Sequence, residues 1–567
     1  MKTHSSLLKN GLQVILVPSH KAPVVSVQCW VRTGSAEESK GNEGISHFIE
    51  HLVFKGSKDF GPGEIANIVE AGGGELNAYT SFDQTVFYVT ISASQSNTAL
   101  QVVSQMMGFP LFDPREIDAE REVVVEEIKR GQDSFSRRGS ELLFSTHYKG
   151  HPYGRPVIGY EKNIRKWSSE HIRNYYKKRY SPKNMFLLIT GDFEIQNMKR
   201  EVTRFFTPIP TQKIPRIPKI PWSPKKKPQQ KIQGTGFQQR LVYLVWPGPR
   251  VQHKDVPGLD VLMMILGQGD SSRLVRHLRL EKPLVQSVGA SCYSPLEPGL
   301  LMISLVPLPE LLAEALQQLQ HEILKIRHEP ISLPELQKAV RALETDDLMS
   351  QESVEGLARK FGSLEFYLRD LKAQDKYQKA LRELTPLQLQ KLAQKYLDPH
   401  QMSRIALVPE SETKFTRHAL SHFSRSLLKA DQNVGTERAL SQKPRWDRIV
   451  RTQLSSHPNE VQSLLINGVR VFLKKTSESS LVSVRASFLG GSRLDKLPEL
   501  GRTEVLGRTW LGGTSKRNEH EIAEISENYA SSLYPVVGRN TIGLALDVLS
   551  SHEKKISDLF FDCLFHP

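Results

Sequence analysis

The chain has 567 residues, which is too long for a single hydrophobic core, so at least three domain-sized units are expected. Hydrophobic residues at 39% and charged residues at 24% are typical of a globular protein and exclude a disordered or fibrous chain. The net charge of +15 is basic, but seven of the cations lie in one proline-rich stretch with a single aromatic residue, which favours a solvated linker over a nucleic-acid surface.

The cysteines and the hydropathy bear on the compartment. No apolar run reaches the roughly 18–20 residues that a membrane-spanning helix needs, so no transmembrane anchor is expected. The three cysteines are widely spaced and form no CxxC pair, which argues against disulfides and against a cysteine-built metal site. We therefore predict a cytoplasmic protein. A periplasmic or other exported compartment is the alternative, if the natural N-terminus is longer.

The first unit is predicted to span residues 1–209. Alternating apolar residues indicate half-buried strands at 12–17 and 24–31, and a further strand that runs into a turn is indicated at 185–192. The basic, proline-rich stretch belongs to a predicted linker at 210–236.

A second unit without a metal is predicted at 237–409, beginning with a strand at 240–246 and ending with another at 405–409. Residues 410–460 are polar and basic with little periodicity, which indicates a connector between two halves of the molecule. The remaining segment, 461–567, is predicted to be a partial, inactive copy of the first unit.

This duplication rests on matches at one constant offset of 457 residues, too many for chance. The matches include Asn10-Gly11 with Asn467-Gly468, Val25-Ser26-Val27 with Val482-Ser483-Val484, Gly44 with Gly501, and Glu64-Ile65-Ala66 with Glu521-Ile522-Ala523. The final Leu564-Phe565-His566-Pro567 resembles Leu111-Phe112-Asp113-Pro114, a pairing that needs a gap of four residues. On that pairing the chain ends about halfway through its third domain.

Residues 44–56 contain a motif that indicates a metal site with a catalytic base. Apolar residues at helical spacing predict a helix that packs on the core through one stripe, made of Ile45, Phe48, Ile49, Leu52 and Val53. His47 and His51 are four residues apart on the neighbouring face, so both imidazoles can reach one metal ion. Glu50 lies beside them and can act as a general base on a water at that metal without ligating it. Two surface histidines without a metal are the alternative.

A catalytic zinc keeps three protein ligands and one open position, so a third ligand is expected from elsewhere in the chain. A helix predicted after Asp113-Pro114 presents Glu120 and Glu127 on one face, two turns apart. We predict that Glu127 is the ligand and that Glu120 orients it or a histidine. Glu126 is turned about 100° away on that helix. The competing candidates His147 and His151 lie in a loop-like context, where structural or substrate-side roles are expected.

These segments resemble the pitrilysin/insulinase family of inverted-zincin metallopeptidases, in the form of the bacterial processing peptidases. The family pattern HFxEHxxFKGT is matched by residues 47–57, with Ser57 in place of the final threonine, and GGxxNAxT is matched by residues 73–80. The family's downstream glutamate, about 75 residues after the second histidine, is matched by Glu127. His151-Pro152-Tyr153-Gly154 also falls where relatives have it.

The resemblance implies an α+β fold in which repeated domains, each a mixed or antiparallel sheet with helices, close as a clamshell. This chain would hold two complete domains and part of a third. The resemblance also implies one zinc ion per chain, held by His47, His51 and Glu127 with Glu50 as the catalytic base. The third segment has Glu504, Gly507 and Arg508 at the positions of His47, Glu50 and His51, so it is not expected to hold zinc.

Peptide substrates are expected to bind in a closed chamber as an added strand along Asn77, Ala78, Tyr79 and Thr80, although a plain edge strand is the alternative. The family's last domain provides an arginine and a tyrosine, seven residues apart, that help to hold the substrate carbonyl. This chain is expected to end before such a domain, and in the second unit the local counterpart Arg279 is followed seven residues later by Gln286, so the pair is not carried over. The resemblance therefore implies a second half, in the same longer chain or in a separate subunit. The predicted function is a zinc-dependent endopeptidase for peptides or unfolded segments. The alternative is a weak or inactive scaffold or partner subunit of the same fold.

Overall fold

The computed structural model describes residues 3–215, 228–446, 461–475 and 479–567, which form three α+β units. The first unit is built on a six-stranded mixed sheet in the order β1-β2-β6-β3-β5-β4, in which β2 and β6 are parallel neighbours. Its strands are β1 (His4–Leu7), β2 (Gln13–Pro18), β3 (Val24–Val31), β4 (Glu75–Thr80), β5 (Thr85–Ser92) and β6 (Met185–Gly191). Its helices are α1 (Ile45–Leu52), α2 (Glu64–Ala71), α3 (Ser96–Gly108), α4 (Pro114–Gln132), α5 (Phe135–His147), α6 (Glu161–Ile164), α7 (Ser169–Arg179) and α8 (Ile195–Phe206).

The second unit has a five-stranded sheet in the order β7-β11-β8-β10-β9. Its strands are β7 (Gln230–Thr235), β8 (Leu241–Pro247), β9 (Val285–Tyr293), β10 (Leu300–Pro307) and β11 (Ser403–Pro409). Its α-helices are α9 (Val256–Gly267), α10 (Leu312–His328), α11 (Leu333–Ser350), α12 (Val354–Ser363), α13 (Ala373–Arg382), α14 (Pro386–Tyr396) and α15 (Thr413–Asn433). Two π-helical turns occupy Val275–Leu280 and Leu364–Leu368.

The strands predicted in the first unit are confirmed, but the expectation that they are half-buried is wrong. Residues 25–31 of β3 are buried on both faces. One face packs on the core beneath α1 and α3, and the other face is covered by α12 of the second unit. Trp30, which is fully buried, packs beneath this helix.

The two units exchange helices across their boundary. While α12 covers the first sheet, α5 of the first unit packs on β8 and β11 of the second sheet, where Leu142 and Leu143 meet Tyr243 and Ile405. Because each sheet needs a helix from the other unit to bury its second face, the two units depend on each other for a complete core.

Both predicted connecting segments contain secondary structure. The end of the predicted linker 210–236 forms β7, which pairs in parallel with β11 and buries Ile232. The predicted connector 410–460 contains α15, whose Leu420, Phe423 and Leu427 pack on the second core at helical spacing. Polar and basic residues on the exposed side of β7 and of α15 made the apolar pattern of each element hard to recognise in the sequence. Residues 216–227 and 447–460 of the two segments lie outside the described residues.

The third unit repeats the first element by element. Its strands are β12 (Val461–Ile466), β13 (Val469–Lys474), β14 (Leu481–Leu489), β15 (Ser532–Val537) and β16 (Thr541–Leu549), and its helices are α16 (Arg502–Thr509), α17 (Glu519–Asn528) and α18 (Glu553–Phe565). The bounds of α16, β15 and α18 are those of α1, β4 and α3 shifted by 457 residues. The predicted duplication is therefore confirmed in three dimensions.

The gapped pairing of the two Leu-Phe-x-Pro segments is wrong. Leu564 and Phe565 lie in the last turn of α18, whereas α3 ends before Leu111, at Gly108. The Ser515 N–H donates to the carbonyl of His566 (3.0 Å), as the Lys58 N–H does to the carbonyl of Phe109 (3.0 Å). His566 is thus the counterpart of Phe109, and the offset stays at 457 residues without a gap.

The sheet of the third unit is divided. In the first unit β6 lies between β2 and β3, while the equivalent strands β13 and β14 belong to separate sheets of two and three strands. Among the described residues no strand pairs with the facing edges of β13 and β14. Apolar side chains such as Leu465 (74% exposed) stay open to solvent here. None of the helices in the described part of the chain is long and apolar enough to cross a bilayer.

Candidate metal centre

Helix α1 carries the predicted motif, and its first turn is held in place by a glycine cap and a buried carboxylate. Gly44 caps it with a positive φ of 102°, and a side chain there would meet the carbonyl oxygen of Ile158. The Glu38 carboxylate accepts the N–H groups of Gly44 and Ser46 (2.8 Å each), which the first turn of a helix leaves unpaired. Burial raises the pKa of Glu38 to about 8, opposed by these bonds. This buried acid orients the helix, and no spacing pattern in the sequence indicated it.

The structure brings the three predicted ligands together. The apolar stripe of α1 is buried, which turns His47 and His51 towards α4. The Nε2 atoms of both histidines lie 3.7 Å from Oε2 of Glu127. A tetrahedral ion with bonds of about 2.0–2.1 Å requires ligand atoms about 3.3 Å apart, so small shifts would complete the site. In the part of the chain that the structure describes, this is the one group of three or more His, Cys, Asp or Glu side chains with such convergence.

The electrostatics of the two histidines suit metal ligation. Burial, together with the nearby His51 and Arg137, lowers the pKa of His47 to about 3, so this ring is neutral at pH 7 as a ligand must be. The net pKa shift of His51 is upward: burial lowers it, but the hydrogen bond to Glu120 and the surrounding carboxylates outweigh burial. A metal cation at Nε2 would replace the proton that these carboxylates attract.

Glu120 contacts His51 and does not join the cluster of His47, His51 and Glu127. Its Oε1 atom lies 2.8 Å from Nδ1 of His51, and its Oε2 atom lies 2.7 Å from Nζ of Lys55. Burial raises the pKa of Glu120, but the bonds from His51 and Lys55 lower it more, so the group stays ionised. In metal sites a carboxylate on the far nitrogen of a histidine orients the ring, and Glu120 has this position relative to His51.

Glu50 lies beside the cluster and is held by β4. The Thr80 hydroxyl donates to its Oε2 atom (2.6 Å). Burial raises the pKa of Glu50, opposed by this bond, and a raised carboxyl pKa suits a group that must both take and return a proton near neutral pH. Thr80 was predicted on the substrate side, and the structure shows that its side chain is bonded to the candidate base.

The predicted substrate strand is an edge strand. Among the described strands, β4 pairs only with β5. The Ala78 N–H donates to Oδ1 of Asn77 (2.8 Å), so a side chain covers a main-chain donor at the open edge. The Tyr79 ring packs edge-on against Trp30, with centroids 6.4 Å apart, and Tyr79 pairs with Val86 of β5, so neither its side chain nor its main chain faces the open edge.

The other candidates for the third ligand lie outside the cluster of His47, His51 and Glu127. Glu126 pairs with Lys129 (2.6 Å) on the exposed side of α4. His147 and His151 pack against the Tyr148 ring near the boundary between the first two units. The sequence did not indicate Arg137 of α5, whose Nη1 atom lies 3.7 Å from Oε1 of Glu127.

The third unit has an ion pair where the first has imidazoles. Arg508 and Glu504, the counterparts of His51 and His47, are joined by Nε and Oε1 at 2.9 Å, and Gly507 stands at the position of Glu50. An arginine has no lone pair to offer a metal, and the Glu504 carboxylate is already paired with it, so these positions lack the donor set of the first unit.

Comparison with known proteins supports the zinc chemistry. Residues 13–161 match the family model described as insulinase (peptidase family M16), and residues 166–343 match the model described as the peptidase M16 inactive domain. The zinc protease PqqE of Helicobacter pylori is 30% identical over 420 residues, which cover 72% of this chain and 93% of that protein.

Two solved structures extend the likeness to the fold. A protease from Helicobacter pylori superposes with a TM-score of 0.66 at 29% identity and covers 72% of this chain and 100% of its own. The periplasmic protease PqqL from Escherichia coli superposes with a TM-score of 0.65 at 18% identity, and it covers 100% of this chain, which corresponds to 66% of that protein. The second likeness concerns the fold alone.

Proposed function

Because the chain belongs to peptidase family M16, the insulinase family, we propose that it is a zinc-dependent endopeptidase that cleaves peptides or unfolded segments. The observation that carries the proposal is the convergence of His47, His51 and Glu127 beside Glu50, at the end of the open strand β4. Two imidazoles and one carboxylate form a donor set that suits zinc and leaves one position open.

In this proposal His47 and His51 bind one zinc ion through Nε2, and Glu127 binds it through Oε2. When bound, zinc polarises the scissile carbonyl and lowers the pKa of a water to about 7. Glu50 accepts the proton of the attacking water on its carboxylate and passes it to the departing amine nitrogen. Thr80 holds Glu50 in place through its hydroxyl, and Glu120 holds the ring of His51.

We propose that the substrate binds as an extra strand on β4. The Ala78 N–H, now covered by the Asn77 side chain, is a donor for a substrate carbonyl once that side chain swings away. A peptide held in this way runs along β4 towards Thr80 and Glu50. Main-chain pairing supplies affinity with little sequence preference, which suits cleavage of varied unfolded segments.

We propose that the complete enzyme includes a second half, in the same longer chain or in a partner. Among the described residues no strand pairs with the facing edges of β13 and β14, and this supports the proposal, because β6 fills the equivalent place in the first unit. A strand that pairs with both edges would join the divided sheet into one. For the compartment we propose the cytoplasm, which suits three unpaired cysteines, and we retain the periplasm as the alternative because one structural relative is named as periplasmic.

The test is the Glu50→Gln variant, which keeps the shape of the side chain but removes its basic oxygen. We expect hydrolysis of an unstructured fluorogenic peptide to fall by at least about 100-fold while zinc content is unchanged. Glu126→Gln is the matched control, since the same change on the exposed side of α4 should leave the rate unaffected. Undiminished cleavage by Glu50→Gln would contradict the role of Glu50.

The scaffold alternative makes a different prediction. A scaffold of this fold would bind its partner through the third unit and cleave nothing, even with zinc bound and the second half present. Hydrolysis that appears only when the second half is supplied would favour the enzyme over the scaffold.

A further inference from the structure

The two oxygens of Glu127 face different partners. Oε2 lies 3.7 Å from each of the two histidine Nε2 atoms, while Oε1 lies 3.7 Å from Nη1 of Arg137. The Glu127 side chain is 39% exposed, so burial alone does not hold its rotamer. The guanidinium therefore lies where it can select which oxygen points at the imidazoles.

Arg137 reaches Glu127 by folding back across the end of α4. It lies in the first turn of α5, which follows α4 after two residues and is capped by the Ser134 hydroxyl. Its side chain passes directly over Gly131, where an added Cβ would lie 2.8–2.9 Å from Nε, Cδ and Cζ of Arg137. Gly131 is one turn beyond Glu127 on the same face of α4, so the missing side chain opens the path between the two charged groups.

Glycine inside a helix is otherwise unfavourable, because it loses more conformational freedom than alanine on folding. At this position a side chain would occupy the space of the Arg137 guanidinium. Gly131 and Arg137 thus form one arrangement, in which the first leaves room for the second.

We propose that Arg137 is a positioning residue that holds Glu127 as a single-oxygen zinc ligand, with Gly131 providing the space that this requires. The inference rests on the proposed zinc function and adds a residue to it. By binding Oε1, Arg137 keeps Oε2 directed at the metal position before the metal arrives, which reduces the ordering that zinc binding must accomplish. It also leaves the remaining zinc position free for water.

The competing explanation is an ordinary surface ion pair. Arg137 also lies 3.6 Å from Oε1 of Glu141 on its own helix, and exposed pairs of this kind often contribute nothing measurable. The two explanations differ in whether zinc affinity depends on Arg137.

The experiment measures zinc affinity of the full chain by competition with a chromogenic chelator, together with the melting temperature of the metal-free protein. We expect Arg137→Gln to weaken zinc binding by about 10–100-fold, the effect typical of residues that orient a ligand, without lowering the melting temperature of the metal-free chain. Arg137→Lys should recover part of the loss, since it keeps the charge but not the planar fork. Glu141→Gln is the matched control and should bind zinc like the wild type.

Gly131→Ala provides a second, independent variant. The new methyl group should displace the flexible Arg137 side chain and weaken zinc binding, although alanine favours the helix itself. Zinc affinity within twofold of the wild type in both Arg137→Gln and Gly131→Ala would overturn the inference and leave a surface ion pair. A wild-type chain that binds no zinc would instead overturn the proposed function, and this inference with it.

Discussion

His47 and His51 are four residues apart on one helix, yet their rings are held in different ways. Nδ1 of His51 is bonded to Glu120, whereas Nδ1 of His47 is buried with no hydrogen-bond partner in the described part of the chain. The orientation of His51 therefore depends on a charged neighbour, and that of His47 depends on the packing of α1. The stripe of Ile45, Phe48, Ile49 and Leu52 is fully predictable from sequence, so the position of His47 was predictable as well.

This difference predicts the effect of changing Glu120. Glu120→Gln keeps the volume of the side chain but removes the charge that favours the correct ring tautomer of His51. We expect zinc affinity to fall by about 10–100-fold, measured by chelator competition. Lys55→Gln, which removes the other partner of Glu120, is the control and should have a smaller effect because Lys55 is more exposed. A Glu120→Gln chain with wild-type zinc affinity would show that His51 needs no orienting group.

At the scale of single residues, the sequence predicted which side chains meet but not what supports them. The seven-residue spacing of Glu120 and Glu127 placed both on one face of α4, and the structure agrees. Glu38, Thr80 and Arg137 were not predicted as supports, because each reaches its partner across a tertiary contact. Such contacts have no spacing signal within one helix or strand.

At the scale of elements, strand β4 provides a direct test of peptide binding. Ala78→Pro removes the N–H at the open edge, where proline is tolerated because no strand in the described part of the chain pairs with that donor. We expect a large rise in KM for unstructured peptides with zinc affinity unchanged. The third unit already has Pro535 at this position of β15, so that edge lacks the donor. Wild-type KM in the Ala78→Pro variant would show that substrates do not pair along β4.

The contact between α12 and the first sheet makes a prediction about stability. Gly362 lies so close to Trp30 that an added Cβ would meet the indole ring at 2.1 Å. We expect Gly362→Ala to destabilise the chain by about 1–3 kcal/mol, as overpacking does, when unfolding is followed in urea. Arg359→Ala, on the exposed side of α12, is the control and should change stability by less than about 0.5 kcal/mol. Equal stability of both variants would mean that α12 is not held tightly on the sheet.

Two causes account for the features that sequence reasoning missed. The second face of β3 is buried by a helix of another unit, whereas the apolar stripe of α15 is hidden among polar and basic residues. Trp30 lies on a face of β3 that would be exposed if α12 were not present, and Leu420 and Phe423 lie in a helix dominated by polar residues. Periodicity within a segment reports local burial, and it cannot report which distant helix covers a face.

At the scale of the whole molecule, duplication has produced two equivalent surfaces with different chemistry. The first unit presents two imidazoles and a carboxylate, and the third presents the Arg508–Glu504 ion pair at the equivalent helix. Any activity of this chain is therefore expected from the centre in the first unit. The third unit is expected to help enclose the substrate and not to catalyse. This asymmetry is predictable from the sequence, because the constant offset of 457 residues makes Gly507 the counterpart of Glu50.

The most direct test of the account is the zinc content of the purified full-length chain, equilibrated with zinc, freed of excess ion and measured by elemental analysis. The account predicts one equivalent per chain in the wild type, and essentially none when His51 is replaced by alanine. A wild-type chain without bound zinc, or one equivalent retained in His51→Ala, would contradict the convergence of His47, His51 and Glu127 on a single ion.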